Sequence, residues 1–95
     1  MYGTIAKARV KAGQWDDLLA AMKAFDTREV KGSIASYVYR LDKDGDEMMM
    51  AVIFENKESY FANADDPATD DWYRAVRACL DSDPEWSDGE IVASF

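Results

Sequence analysis

The chain has 95 residues, of which 48% are apolar and 13% aromatic, and it carries a formal net charge of −8. This length allows one modest hydrophobic core, so we expect a single domain over residues 1–95, and the composition argues against disorder. The acidic surface argues against a nucleic-acid partner, and no apolar stretch is long enough to span a membrane, so we expect a cytoplasmic protein without a membrane partner.

The spacing of apolar residues predicts three elements in the first part of the chain. Residues 2–11 alternate between two faces, which indicates a strand. Residues 14–27 place apolar side chains at helical spacing, which predicts an amphipathic helix ending before a loop at residues 28–32. The residues on its apolar face are Trp15, Leu18, Leu19, Met22 and Phe25. Residues 33–41 are rich in β-branched and aromatic side chains and predict a second strand.

An uninterrupted apolar run at residues 48–54 follows this second strand. A strand that is buried on both faces reads as such a run, so we predict a central strand with an apolar cover on each side. Residues 42–46 then form the tip of a hairpin. Asp42, Asp44 and Asp46 have the spacing of a calcium loop, but the glycine and carboxylate that such a loop needs are replaced by Glu47 and Ile53. We therefore expect no metal site there.

Two helical segments and a last strand are predicted in the rest of the chain. Residues 57–64 have helical spacing, and the Asp65–Pro67 break then suits the start of a new helix that runs to about Asp81. Cys79, the single cysteine, lies in this helix and agrees with a reducing compartment. We place the last strand around Ile91–Ala93, after a turn at residues 87–89.

The order of these elements is strand, helix, strand, strand, helix, strand. This is the ferredoxin-like βαββαβ pattern of the α+β class, a four-stranded antiparallel sheet with two helices on one face and the first and third strands at its centre. No segment remains to cover the other face of the sheet. An uncovered apolar face is an association surface, so we predict a homodimer that packs sheet against sheet with two-fold symmetry.

Three segments point to a known family. In residues 52–60 a strand-end aromatic and a glutamate lead into a helix that bears an aromatic, and residues 64–67 and 84–86 add to the pattern. In these segments and in element order the chain resembles the dimeric α+β barrel superfamily, and within it the antibiotic-biosynthesis-monooxygenase-like domains. Members of this group include cofactor-independent oxygenases of polycyclic phenols, quinol monooxygenases, haem-degrading enzymes and proteins without known activity. The resemblance implies that this chain has one of these functions.

The resemblance carries over to individual residues only in part. Quinone-forming members have a tryptophan at the end of the third strand, an asparagine four residues earlier and a tyrosine six residues later. Here those positions are Phe54, Met50 and Tyr60, so only the tyrosine matches. An arginine on the second helix of such members has Arg74 as its nearest counterpart. Haem-degrading members use a histidine as iron ligand, and this chain has no histidine, so we do not expect haem degradation by that mechanism. The resemblance to the cofactor-independent oxygenases implies that no cofactor is needed.

The resemblance implies catalytic roles for Tyr60, as the hydrogen-bonding group, and for Arg74, as the charge that stabilises a phenolate. A pocket for a small aromatic molecule would lie between helices and sheet. The substrate-binding residues expected there are Tyr37, Tyr39, Phe54, Trp72 and Tyr73. In the alternative interpretation these aromatics fill the core and Arg74 and Arg77 pair with aspartates of their own helix. Trp15 and Trp86 are interpreted as packing or dimer-rim residues.

Three functions remain open at this point. The first is a dimeric cofactor-independent monooxygenase that acts on a phenolic or quinol substrate. The second is a non-catalytic homodimer that binds a small aromatic or lipid-like ligand in the same pocket. The third is an accessory dimer with a filled core. A Ser-His-Asp or Cys-His site is excluded because the chain has no histidine.

Overall fold

The computed structural model of the protein describes residues 1–26 and 30–95, and all of their side chains except those of Phe25 and Asp26. The predicted helix end at residue 27 and the loop start at residue 28 lie outside the described residues. The elements are β1 Tyr2–Arg9, α1 Trp15–Asp26, β2 Ser33–Arg40, β3 Glu47–Phe54, α2 Lys57–Ala64, α3 Pro67–Arg77 and β4 Glu85–Glu90.

The four strands form one antiparallel sheet in the order β2-β3-β1-β4. This order confirms the ferredoxin-like fold and the central position of the first and third strands. The connection from β3 to β4 contains two helices, because the predicted break at Asp65–Pro67 separates α2 from α3. Asp66 caps α3 by accepting a hydrogen bond from the Ala68 backbone N–H, and Pro67 occupies the first turn.

The hydrophobic core lies on one side of this sheet, which we call the helix face. Alternate residues of β1 and β3 are buried there against α1, α3 and the segment that follows α3. The buried cluster comprises Ala6, Ala8, Val10, Leu18, Met48, Met50, Val76, Cys79 and Leu80. Since Met49, Ala51 and Ile53 alternate with buried positions of β3, they belong to the opposite face and are only half-buried. We call that side the open face.

The tip of the β2–β3 hairpin is held by hydrogen bonds and ion pairs. Arg9 donates to the Asp44 carboxylate at 2.8 Å, and the Asp46 backbone N–H donates to the other oxygen of Asp44 at 3.0 Å. The Arg9 guanidinium therefore lowers the pKa of the Asp44 carboxyl. The indole N–H of Trp15 donates to the Gly45 carbonyl at 2.7 Å. The predicted hairpin is thus confirmed.

The last strand differs from the sequence prediction, which placed it around residues 91–93. β4 spans Glu85–Glu90, so the residues assigned to a turn, 87–89, lie in the strand and pair with β1. The prediction was wrong because β4 lies at the edge of the sheet, where pairing with β1 does not require an apolar alternation. Within the described ranges, no helix is long and apolar enough to cross a membrane.

Candidate functional site

A cavity of about 790 Å³ lies between the helix face of the sheet and the helices. Its walls come from all four strands and all three helices, and most of them are apolar or aromatic. Apolar lining residues include Leu19, Met22, Ile34, Val38, Met50 and Val52. Small-molecule sites have this size and this mainly apolar character, with a few polar groups that orient the ligand.

The cavity brings together four of the predicted substrate-site residues, namely Phe54, Tyr60, Trp72 and Tyr73. Trp86, which the sequence analysis interpreted as packing or dimer rim, lines it as well and contacts the Tyr73 ring at a centroid distance of 6.3 Å. The cavity therefore has an aromatic wall built from β3, β4 and two helices.

The other two predicted binding residues, Tyr37 and Tyr39, belong to the open face. Strand β2 pairs Val38 with Met50, which is buried on the helix face, so the neighbouring tyrosines project the other way. Each of them is 55% exposed. The structure thus places Tyr37 and Tyr39 on the side of the sheet opposite to Tyr60, and they do not share its pocket.

Arg74 also lies outside the cavity. Its side chain is 76% exposed and forms an ion pair with Asp70, one turn earlier on α3, at 3.0 Å. This pairing agrees with the alternative interpretation of the sequence. Arg77 instead binds Asp83, beyond the end of the helix, at 2.7 Å. Neither guanidinium is among the described residues that line the cavity.

Tyr60 is positioned by the start of α2 and by its aromatic neighbours. Asn56 caps the helix by accepting a hydrogen bond from the Ser59 backbone N–H at 2.8 Å. The Tyr60 ring then makes edge contacts with Tyr2 and Phe54 at centroid distances of 5.3 and 5.6 Å. Its hydroxyl donates to Asp88 Oδ1 at 2.8 Å. The phenol is therefore fixed at the cavity wall next to a carboxylate.

Burial and the hydrogen bond to Asp88 raise the pKa of Tyr60 to about 12, although the neighbouring Thr4 hydroxyl opposes the rise. Burial disfavours the charged phenolate, and the Asp88 carboxylate holds the proton on Tyr60. At neutral pH Tyr60 is accordingly a neutral hydrogen-bonding group. It does not act as a base there.

We expect this raised pKa to be visible in an alkaline titration followed by tyrosinate absorbance. One tyrosine should ionise near pH 12 in the native protein, and Tyr60→Phe should remove that phase. Because the folded pKa exceeds the ordinary value of about 10, the stability from neutral Tyr60 is complete below pH ~10 and lost as the pH rises toward ~12. Persistence of the late phase in Tyr60→Phe would assign it elsewhere.

The polar partners of Tyr60, Thr4 and Asp88, were missed by the sequence analysis. They are direct cross-strand neighbours in the β1–β4 pair, so their side chains share the helix face. Thr4 is only 5% exposed, and its hydroxyl makes no hydrogen bond of standard geometry with the described residues. Finding this pair requires the register of β4. That register was hidden because residues 87–89 read as a turn.

Residues 1–75 match the family model of the antibiotic biosynthesis monooxygenases. The chain belongs to this family. Asp88 lies beyond the matched residues, so the match itself gives no information about it. No curated protein matches the chain in sequence.

Solved structures of low sequence identity share the fold of this chain. A candidate monooxygenase of this family from Chloroflexus aurantiacus is 24% identical, with a TM-score of 0.79 over 99% of this chain and 95% of that one. Another from Deinococcus radiodurans is 12% identical, with a TM-score of 0.83 over 100% and 96%. SnoaB, a cofactor-independent oxygenase from Streptomyces nogalater, is 13% identical, with a TM-score of 0.81 over 98% and 96%.

Proposed function

We propose that the protein is a cofactor-independent monooxygenase that acts on a phenolic or quinol-type small molecule in the helix–sheet cavity. Family membership supports a monooxygenase, and the similarity in fold to SnoaB supports one without a cofactor. The observation that carries the proposal is the cavity itself, an aromatic-walled space with the neutral hydroxyl of Tyr60 at its wall.

The proposed reaction needs no reductant other than the substrate. A phenol ring loses its O–H hydrogen and the hydrogen of a ring carbon, and the ring becomes a quinone. One atom of dioxygen becomes the new carbonyl oxygen, and the other leaves as water with the two hydrogens. The protein's part is to hold the ring, to exclude bulk water and to fix the hydroxyl. Phe54, Trp72 and Tyr73 would pack against the ring, and the hydrogen-bonded pair of Tyr60 and Asp88 would hold its hydroxyl.

A second candidate, a non-catalytic binder of a small aromatic ligand, is favoured by one specific feature of the site. Oxidation of a phenol by dioxygen is assisted by a cation that stabilises the phenolate. Next to Tyr60 the structure has the carboxylate of Asp88, and Arg74 is paired with Asp70 outside the cavity. A carboxylate favours a neutral hydroxyl, which suits binding better than ionisation.

Oxygen uptake with anthrone-type and quinol substrates tests the proposal. Tyr60→Phe removes the hydroxyl that holds Asp88 at the cavity wall and is expected to lower the turnover rate about tenfold. Tyr37→Phe makes the same chemical change on the open face and should leave turnover unchanged, since Tyr37 does not line the cavity. Substrate binding without oxygen uptake would favour the non-catalytic candidate. Equal turnover of Tyr60→Phe and the native protein would contradict the role of Tyr60.

We also propose that a second copy of the chain covers the open face. Ile5, Tyr37 and Tyr39 are each more than half exposed there, and half-buried apolar residues of β3 lie between them. A contiguous apolar sheet face of this kind marks an association surface. Sheet-to-sheet packing around a two-fold axis would give the dimeric α+β barrel. The cytoplasmic location stays a prediction.

A further inference from the structure

Asp88 has an unused hydrogen-bond acceptor in the wall of the cavity. Asp88 is an exposed residue that lines the cavity. Its Oδ1 accepts the Tyr60 hydroxyl at 2.8 Å, which leaves Oδ2 open to solvent or to a ligand. Thr4, directly across the β1–β4 pair, lines the same cavity and has a buried hydroxyl that makes no hydrogen bond of standard geometry with the described residues. The Thr4 hydroxyl acts on Tyr60, whose pKa it lowers, but a buried hydroxyl without a hydrogen bond of standard geometry indicates a place for a polar ligand atom.

We propose that Asp88 and Thr4 form a recognition site for an aromatic hydroxyl, which is bound in its neutral form. The ligand hydroxyl donates its proton to Asp88 Oδ2 and accepts from Thr4 Oγ1, while its ring lies against the aromatic wall. The inference rests on the proposed function only in taking a hydroxylated aromatic molecule as the ligand. It does not depend on turnover.

Two properties of the site select a hydroxyl over a charged group. Tyr60 already donates to one Asp88 oxygen, and the other oxygen can accept a proton donor but has no proton to give, which suits the O–H of a ligand. A phenolate brought to the same position would have its negative charge beside the Asp88 carboxylate, and like charges at this distance disfavour ionisation. The same hydrogen bond places Asp88 in reach of the ligand proton, which is the geometry required of a base in a later oxidation.

The other titratable groups that line the cavity do not reverse this preference. They are Lys23 from α1, Asp70 and Tyr73 from α3, and Tyr60 from α2, and the lining residues of β1, β2 and β3 are not titratable. Asp70 is paired with Arg74, and Tyr73 has its pKa raised, first by burial and then by Asp83. Lys23 is an exposed cation in the last turn of α1. Asp88 is the charge adjacent to Thr4 and Tyr60.

Binding of 7-hydroxycoumarin tests the inference, because its neutral and ionised forms differ in absorbance. In the native protein we expect the bound dye to ionise about one pH unit higher than the free dye, so that the neutral form binds about tenfold more tightly than the anion. Asp88→Asn removes the charge and replaces one of the two acceptor oxygens with an N–H donor. The shift should then disappear, and the neutral dye should bind about tenfold more weakly.

Three controls separate recognition of the hydroxyl from other effects. Asp71→Asn removes the same charge from an exposed position that does not line the cavity, and it should behave like the native protein. Thr4→Val keeps the shape of the side chain, and it should weaken binding of the neutral dye severalfold but preserve the upward shift. 7-Methoxycoumarin has no proton to donate and should bind the native protein and Asp88→Asn equally.

Each contrary outcome would overturn the inference. The first is a bound dye that ionises at a lower pH than the free dye, and the second is an Asp88→Asn variant that binds the dye like the native protein. The third is no dye binding at millimolar concentration. The fourth is tighter binding of 1-naphthylmethylammonium than of the dye, which would mark a cation site. Oxygen uptake measured on the same samples separates the two proposals. If the native protein binds the dye with the expected pKa shift but consumes no oxygen, only the monooxygenase proposal is contradicted. If oxygen is consumed but Asp88→Asn binds the dye like the native protein, only the present inference is contradicted.

Discussion

Replacing Gly3 with alanine is expected to destabilise the protein by about 3 kcal/mol, at the upper end of the cost of overpacking a core. Gly3 is buried in β1 between its partners Ile53 of β3 and Gly89 of β4. A Cβ atom added there would collide with the backbone carbonyl of Val52 and would lie 3.3 Å from the Ile53 Cα. Both obstacles are backbone atoms of the central strand, so relief requires a shift of the β1–β3 pair.

Gly89→Ala is the matched control for this prediction. Gly89 faces Gly3 directly across the β1–β4 pair, but an added Cβ there meets no atom within 4 Å. The same substitution should therefore change the free energy of unfolding by less than about 1 kcal/mol. Guanidinium unfolding at one fixed protein concentration measures both variants, since association would make stability concentration-dependent. Equal effects of the two substitutions would contradict the collision at Gly3.

The fold was predictable where the sequence pattern and the tertiary structure impose the same requirement. Burial of β3 beneath the helices appears directly as the apolar run at residues 48–54, and the α2–α3 break appears as an aspartate followed by proline. Strand β4 gives no such signal, because all of its residues except Trp86 are polar or glycine and only pairing with β1 makes them a strand. The apolar residues after it, from Ile91 onward, drew the prediction to the wrong segment.

The candidate site was predictable only in part for a related reason. Tyr60 was proposed from a family motif that is contiguous in sequence, and it does line the cavity. Tyr37 and Tyr39 were placed in the pocket by residue type, but the side of a sheet on which a residue lies depends on its register with Val52 and Met50. Asp88 required the register of a strand that the sequence did not predict. Pairings between distant strands thus decided most of what the sequence analysis missed.

Replacing Ile5 with aspartate is expected to convert a native dimer into a monomer and to weaken association about a thousandfold or more. Ile5 lies on the open face of β1, is 53% exposed, and pairs across the strands with Ala51 and Ser87. In a two-fold dimer each substitution occurs twice, so two uncompensated carboxylates would be buried in one interface. Leaving one buried charge unpaired costs about 3–5 kcal/mol, and about 4 kcal/mol already corresponds to a thousandfold in Kd.

The same substitution should leave the fold of the single chain intact, because Ile5 lies outside the core cluster and the cavity is lined from the helix face. Ala12→Asp introduces an identical charge at an exposed position between β1 and α1, and it should remain a dimer. Sedimentation velocity over the micromolar range measures both variants, and circular dichroism checks their folding. A native protein that is monomeric at micromolar concentration would contradict the sheet-to-sheet dimer. An Ile5→Asp variant that is folded and still dimeric would place the interface elsewhere. The open face would then not be buried by a second copy of the chain.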